Sequence, residues 1–262
     1  MKKLAIIGGG NLGTAIARGV LEAGDLRPEE IVVTKRNPGT LTELSGRGVE
    51  VLNNNREAVA KAGMVILAVK PYQAREVLAD AEFRPGQTLV SVVTGFGLAD
   101  LRASTRADTE LFRAMPNTAI AVRQSMTCIS HDRAEADARK RVEGVFSTLG
   151  RVLFIDEKLM NAATVLGACG IAYAMRYMRA NIQGGIQIGF DAATASLIAE
   201  QTVKGAVELL MQDSGTHPEV EIDKVTTPRG CTIAGLNEME HQGFSSSLIR
   251  GVVTSFEEIS RF

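Results

Sequence analysis

Short apolar runs alternate with amphipathic stretches through the first half of the chain. Leu4 to Ile7, Ile31 to Thr34, Met64 to Val69 and Thr88 to Val93 are nearly unbroken and largely aliphatic, the pattern of strands in a sheet covered on both faces. Glu110 to Ala114, Ser125 to Ile129 and Val152 to Ile155 read as further strands. Pro28, Pro38, Pro71, Pro85 and Pro116 fall between these runs, where a fixed φ and a missing N–H do no harm. The stretches between strands read as crossover helices, so the expected architecture is α/β, a doubly wound and mostly parallel sheet of Rossmann type. One of these helices is predicted from Ser130 as N-cap, through a charged run to Leu149, with Gly150 as its stop.

The pattern changes from Leu159 onward. No proline occurs between Pro116 and Pro218, and Ala-, Met-, Leu- and Ile-rich helical stretches replace the strands. Residues 1–156 are therefore expected to form the α/β domain and residues 157–262 an all-helical one. Ala162 to Met175 carries no charge, but the run is short of the ~20 residues a bilayer needs and is followed by Arg176 and Arg179. It reads as a helix buried on most sides. A domain of about a hundred residues offers too few partners for such a helix, so a homodimer through this domain is expected.

Composition narrows the class. A chain of 262 residues with 45% hydrophobic and 23% charged positions is a water-soluble protein of about two domains. A net charge of −1 with scattered Lys and Arg argues against a nucleic-acid partner. Cys128, Cys169 and Cys231 are too widely spaced for a metal or redox pair, which fits a reducing cytoplasm. The apolar run after Met1-Lys2-Lys3 is too short for a signal peptide. His131, His217 and His241 stand singly, so neither a metal site nor a nucleophile with its base is expected.

Chemistry concentrates at five places. Gly8-Gly9-Gly10-Asn11-Leu12-Gly13 lies between the first strand and a helix, the context of the dinucleotide fingerprint: Gly8 for the tight turn, Gly10 for pyrophosphate approach, Gly13 for helix–sheet packing. Asn11 and Leu12 belong to the same cofactor-binding turn. After the second strand, Thr34-Lys35-Arg36-Asn37 has no carboxylate for ribose hydroxyls and two cations for a ribose phosphate, which favours NADPH, with NADH as the other possibility. Ala68-Val69-Lys70-Pro71 ends another strand and should face the cofactor, with Lys70 either a ligand or a surface cation. Asn117, in Met115-Pro116-Asn117-Thr118, has the same placement, as a carboxamide partner or a plain turn residue. Finally, Thr227-Pro228-Arg229-Gly230-Cys231-Thr232 runs from a broken loop into an apolar helix, so backbone N–H groups near Gly230, Cys231 and Thr232 form a candidate anion cradle. Cys231 is either a reactive thiol or a small spacer there.

With these segments in place, the chain resembles the pyrroline-5-carboxylate reductases over essentially its whole length. The likeness rests on Ile7 through Gly13, Leu67-Ala68-Val69-Lys70-Pro71, Arg113 through Thr118, Asp156 through Met160, and above all Asp223 through Leu236. It implies an NAD(P)H-dependent reduction of L-1-pyrroline-5-carboxylate to L-proline, in a homodimer, with assembly into a higher homo-oligomer left open. It implies backbone amides of Gly230, Cys231 and Thr232 on the substrate carboxylate, the Thr232 hydroxyl on the ring nitrogen as the catalytic contact, Thr227 supporting the loop, and Asn55 touching the cofactor. The cradle is expected to serve the cofactor held by the other subunit. Two departures stand out: Arg229 replaces a usual glycine, and the stretch from Gly167 to Ile171 is poorer in hydroxyls and lacks a proline. A reductase of another small imine or hydroxy acid, and a cofactor-binding regulatory protein without catalysis, are the alternative readings.

Overall fold

A single mixed sheet organises the first part of the protein. In the computed structural model, which describes residues 2–106, 108–212 and 215–261, the strands are β1 (Lys2–Ile7), β2 (Ile31–Thr34), β3 (Glu50–Leu52), β4 (Ala62–Leu67), β5 (Thr88–Ser91), β6 (Glu110–Met115), β7 (Ser125–Asp132) and β8 (Gly150–Phe154). Their spatial order is β3-β2-β1-β4-β5-β6-β7-β8. The ladders from β3 across to β6 are parallel, β7 runs antiparallel to β6, and β8 is again parallel to β7. Met1, where the leader-like run begins, lies outside the described residues.

The continuous apolar strands are explained by a core on each face. Leu4 and Ile6 of β1 join Met64 and Ile66 of β4 in one cluster, while Ala5 and Ile7 join Val65 and Leu67 in the other. A strand alternates its side chains, so only a sheet buried on both faces asks for apolar residues at consecutive positions. The helices that cover it are α1 (Asn11–Ala23), α2 (Thr42–Gly46), α3 (Asn55–Lys61), α4 (Ala74–Ala79), α5 (Leu98–Ala103) and α6 (Ala136–Ser147). In α1, Ile16, Ala17 and Val20 are buried on one side, and Gly24 closes the helix in the left-handed region at φ 81° with its N–H on the Leu21 carbonyl.

Several boundaries differ from the sequence reading. The three residues of β3 are each only partly buried and carry no apolar run, so nothing local announces them. Strands β4 and β5 end two residues early, because Ala68 and Val92 already leave the ladder while their N–H groups still reach Ile7 and Leu67 carbonyls at 2.8 and 3.0 Å. Ser130 is not an N-cap. It pairs with Arg113 inside β7, which continues to Asp132, and α6 starts later with Glu135 as N-cap. Strand pairing outcompetes a local capping preference here. Gly150 opens β8 rather than simply stopping a helix.

Beyond the sheet the chain is helical: α7 (Met160–Ala163), a π-helical segment at Thr164–Cys169, α8 (Gly170–Gln187), α9 (Ala192–Gln212), α10 (Pro218–Val225), α11 (Cys231–His241) and α12 (Phe244–Ile259). The chain divides into two compact units, Met1–Ile171 with Glu258–Phe262, and Ala172–Glu257. In the second unit Ala195 and Ala199 are the buried hydrophobic positions among the described residues, while Met175, Leu197 and Ile249 are 58%, 69% and 64% exposed. The uncharged stretch from Ala162 to Met175, expected to be buried on most sides, is covered only in part by its own chain: Thr164 and Val165 are buried, while Leu166 and Met175 are exposed and α8 contains no buried residue. Among the described residues no helix is long and apolar enough to cross a membrane.

His131 of β7 links pH to the stability of the sheet. Its ring sits 5.8 Å from Phe112 and 6.2 Å from Phe154, and its Nδ1 accepts the Ala134 N–H at 3.2 Å. Burial first, then Arg139, hold its pKa below the ordinary 6.5, against the pull of Glu110 and Asp132. A base with a depressed folded pKa is protonated more readily when unfolded, so its contribution is complete above about 6.5 and is lost as pH falls below it. Melting temperature is expected to fall more between pH 7.5 and 5.5 in the wild type than in His131→Gln. Equal falls would remove His131 as the source.

Candidate active site

The order in which strands are laid down reverses between β1 and β4, and a crevice opens where the carboxyl ends of strands meet such a switch point. Here it is a cavity of about 810 Å³. Its floor is the turn from β1 into α1. Gly8, at φ 109°, donates its N–H to Thr34 Oγ1 at 3.2 Å, and Gly9 donates to the Thr34 carbonyl at 2.6 Å. A Cβ on Gly13 would lie 2.1 Å from the Gly8 carbonyl oxygen, so helix and turn meet without room for a side chain. Gly10 is different. Its φ of −79° suits any residue, and a Cβ there would meet nothing within 4 Å. Neither backbone nor packing in the chain demands glycine at that position, which leaves close approach by a ligand as the physical reason for it.

The electrostatics favour an anion. No side chain caps α1 and its first turn has no acid, so the first N–H groups of the helix face the crevice with the positive end of its dipole. Lys35, Arg36 and Lys70 line the cavity against one carboxylate, Glu76. None of the three cations is in an ion pair among the described residues. An adenine dinucleotide with a pyrophosphate and a ribose phosphate matches this lining, and the residues present fit that group.

Most of the cofactor residues expected from sequence come together here. Gly8, Gly10, Asn11, Leu12, Thr34, Lys35 and Arg36 line the cavity, as do Asn55, Ala68, Val69, Lys70 and Pro71. Thr34 is buried and its hydroxyl holds Gly8, so it shapes the turn in addition to bordering the cavity. Asn54 caps α3 through Glu57 N–H at 3.1 Å, which leaves the neighbouring Asn55 side chain for the cavity. Gly13 packs behind the lining, and Asn117 does not reach it. Asn117 is buried; its Oδ1 accepts from Ala119 N–H at 3.0 Å and its Nδ2 donates to the Gly167 carbonyl at 3.2 Å. That carbonyl lies in the π-helical turn, where altered backbone pairing leaves groups for outside partners. Sequence reasoning missed Asn53, Gln73 and the Val92-Val93-Thr94 turn after β5. The rule that ligands lie beyond the carboxyl ends of strands would have found the last of these.

The second anion feature lies wholly within the helical unit. Thr227 to Gly230 form a β-turn, closed by Gly230 N–H on the Thr227 carbonyl at 2.9 Å, with Arg229 in the left-handed region at φ 59°. That bond removes the Gly230 amide from the expected set of gripping donors. Gly230 is the N-cap of α11, with no side-chain cap and no acid in the first turn, so the donors left without intrahelical acceptors are Cys231, Thr232 and Ile233. A Cβ on Gly230 would fall 2.5 Å from Thr227 Oγ1, which ties Thr227 to the shape of the turn. Thr232 is half-buried and Cys231 exposed. No group of His, Cys, Asp and Glu suited to a metal occurs among the described residues.

Together, the crevice on a Rossmann-type sheet and the helical unit that follows it have the architecture of oxidoreductases that act with a nicotinamide cofactor. Residues 3–95 match the family described as NADP oxidoreductase coenzyme F420-dependent, and residues 157–261 that of pyrroline-5-carboxylate reductase dimerisation. Pyrroline-5-carboxylate reductase 2 of Dictyostelium discoideum is 38% identical over 99% of this chain and 93% of its own length. Pyrroline-5-carboxylate reductase 1 of the same organism is 44% identical over 97% of this chain, which spans only 49% of that longer protein. The crystal structure of a pyrroline-5-carboxylate reductase from Coxiella burnetii is 26% identical, with a TM-score of 0.90 over 99% of this chain and 98% of that one. The chain belongs to the pyrroline-5-carboxylate reductase family.

Two glycines of the turn, Gly10 and Gly13, separate ligand approach from packing. Gly13→Ala is expected to lower the melting temperature by about 5 °C or more, since the added Cβ overlaps a backbone oxygen. Gly10→Ala should melt within about 2 °C of wild type yet bind NADPH about tenfold or more weakly, measured by thermal scan and fluorescence titration. Unchanged NADPH binding by Gly10→Ala would show that the pyrophosphate does not pass that position.

Proposed function

We propose that this protein reduces L-1-pyrroline-5-carboxylate to L-proline with NADPH, NADH being the weaker donor. The carrying observation is the pair of anion-binding features in one chain of this family: a crevice with three cations that have no ion pair among the described residues, and a helix start with three amides left without intrahelical acceptors. The bound cofactor supplies the hydride, and the protein supplies orientation and charge. Lys35 and Arg36 hold the ribose phosphate, and the turn from Gly8 to Leu12 holds the pyrophosphate. The amides of Cys231, Thr232 and Ile233 hold the substrate carboxylate. The Thr232 hydroxyl, which has no partner among the described residues, hydrogen-bonds the ring nitrogen. An imine carbon accepts hydride more readily as its nitrogen takes a proton, and a hydroxyl aimed at that nitrogen steadies the proton as the C–H bond forms.

The same reading divides the chain after residue 156, makes residues 157–262 the dimerisation and substrate domain, and places the protein in the cytoplasm as a homodimer. The exposed apolar residues of the helical unit support the dimer, and the three unpaired cysteines fit a reducing compartment. Proline formation by the purified chain from the imine and NADPH is the direct test; consumption of another carboxylated imine or hydroxy acid in its place would overturn the substrate. Thr232→Ala is expected to lower turnover about 10- to 100-fold, the scale of one catalytic hydrogen bond, and an unchanged kcat would remove Thr232 from the reaction. Lys35→Ala combined with Arg36→Ala should raise KM for NADPH about tenfold or more while leaving KM for NADH within about twofold. Equal changes for both cofactors would refute the phosphate assignment.

A further inference from the structure

Arg229 stands in the turn that precedes the carboxylate-binding helix start, and its conformation is one that side chains resist. In Thr227-Pro228-Arg229-Gly230, proline occupies the second position and the third residue has φ 59°, the combination for which a turn of this kind favours glycine. Any other residue there is held at a cost of about 1 kcal/mol. The same conformation occurs at Arg123 and Arg133, so strain by itself assigns no role. What distinguishes Arg229 is its electrostatic setting. It is exposed and has no ion-pair partner among the described residues. It immediately precedes the N-cap Gly230, and the first turn of α11 carries no acid. A cation beside the positive end of a helix raises a potential that the helix alone does not reach, and nothing in that first turn neutralises it.

We propose that Arg229 determines specificity for the carboxylate of the substrate, adding a guanidinium to the amide cradle so that carboxylated cyclic imines are selected over uncharged ones. The proposal rests on the reading of the α11 start as the carboxylate site. Arg229 acts on binding, since the hydride and proton are handled elsewhere. Its effect therefore appears in KM for the anionic substrate and weakens with salt, as the screening length falls from ~10 Å at 0.1 M to ~3 Å at 1 M.

Steady-state kinetics of Arg229→Met and Arg229→Lys with L-1-pyrroline-5-carboxylate and with carboxylate-free 1-pyrroline test this. Methionine removes the charge but keeps a side chain of similar reach in the left-handed turn. Arg229→Met is expected to raise KM for the carboxylated imine about three- to tenfold at low salt, with kcat within about twofold, and the difference should shrink in 1 M NaCl. Arg229→Lys should restore most of the affinity, and the loss should be confined to the carboxylated substrate. An unchanged KM in Arg229→Met, or equal losses for both imines, would overturn the role. If the wild-type protein reduces neither imine, the failure belongs to the proposed function rather than to Arg229.

Discussion

The carbonyl oxygen of Gly8 lies 2.1 Å from where a side chain at residue 13 would begin, and the cofactor-facing edge of the sheet follows from that contact. For α1 to start so close to β1, residue 13 must lack a Cβ and residue 8 must turn through φ 109°. Thr34 at the end of β2 then fixes the turn through two bonds, its hydroxyl to Gly8 N–H and its carbonyl to Gly9 N–H. The same residue thus anchors the turn and leads directly into Lys35 and Arg36. The placement of the two cations and the turn geometry are coupled through one buried threonine, so the cations and the helix start line the same crevice.

How far this was legible in the sequence depended on the range of the interaction involved. Local demands could be read: the glycines of the turn, the doubly covered strands, and the two cations after β2 each leave a composition that one physical cause explains. Long-range demands could not. Ser130 looks like an N-cap because a serine before a charged helical run satisfies every local rule, yet its pairing with Arg113 across the β6–β7 ladder decides its conformation. Strand β3 carries too little apolar surface to stand out, and exists because β2 offers it a ladder. At the α11 start, residue types indicated that amides would be free, but only the turn bond from Gly230 to Thr227 shows which ones.

Buried polar groups divide the remaining residues of interest. The Arg113 guanidinium, 8% exposed, pairs with Glu157 at 2.9 Å, and the same carboxylate oxygen accepts the Leu98 N–H at 2.7 Å. Glu157 thereby ties β6 and the start of α5 to the residues that open the helical part of the chain. Removing Glu157 would leave the buried Arg113 guanidinium without its counter-charge, which makes this junction a point of structural commitment. Asn117 belongs to the same kind of linkage. Its amide holds the Ala119 N–H on one side and the Gly167 carbonyl of the π-helical turn on the other, so the π-helical stretch is pinned by a residue close to the sheet.

The helical unit meets a different constraint. Many of its large apolar side chains are exposed, and exposed apolar surface of this extent is ordinarily covered by association. Charged residues on those faces would restore solubility but abolish the association, so the pressure on composition there is toward neutral, apolar helices. Binding a carboxylate beside such surfaces, as proposed, would pose a problem, because extra cations on the helices would be buried with them if the faces met. Backbone amides avoid it: the α11 start offers three donors and a dipole with no buried formal charge. A further cation is compatible with this arrangement only where it stays in solvent, and the exposed turn preceding α11 is such a place.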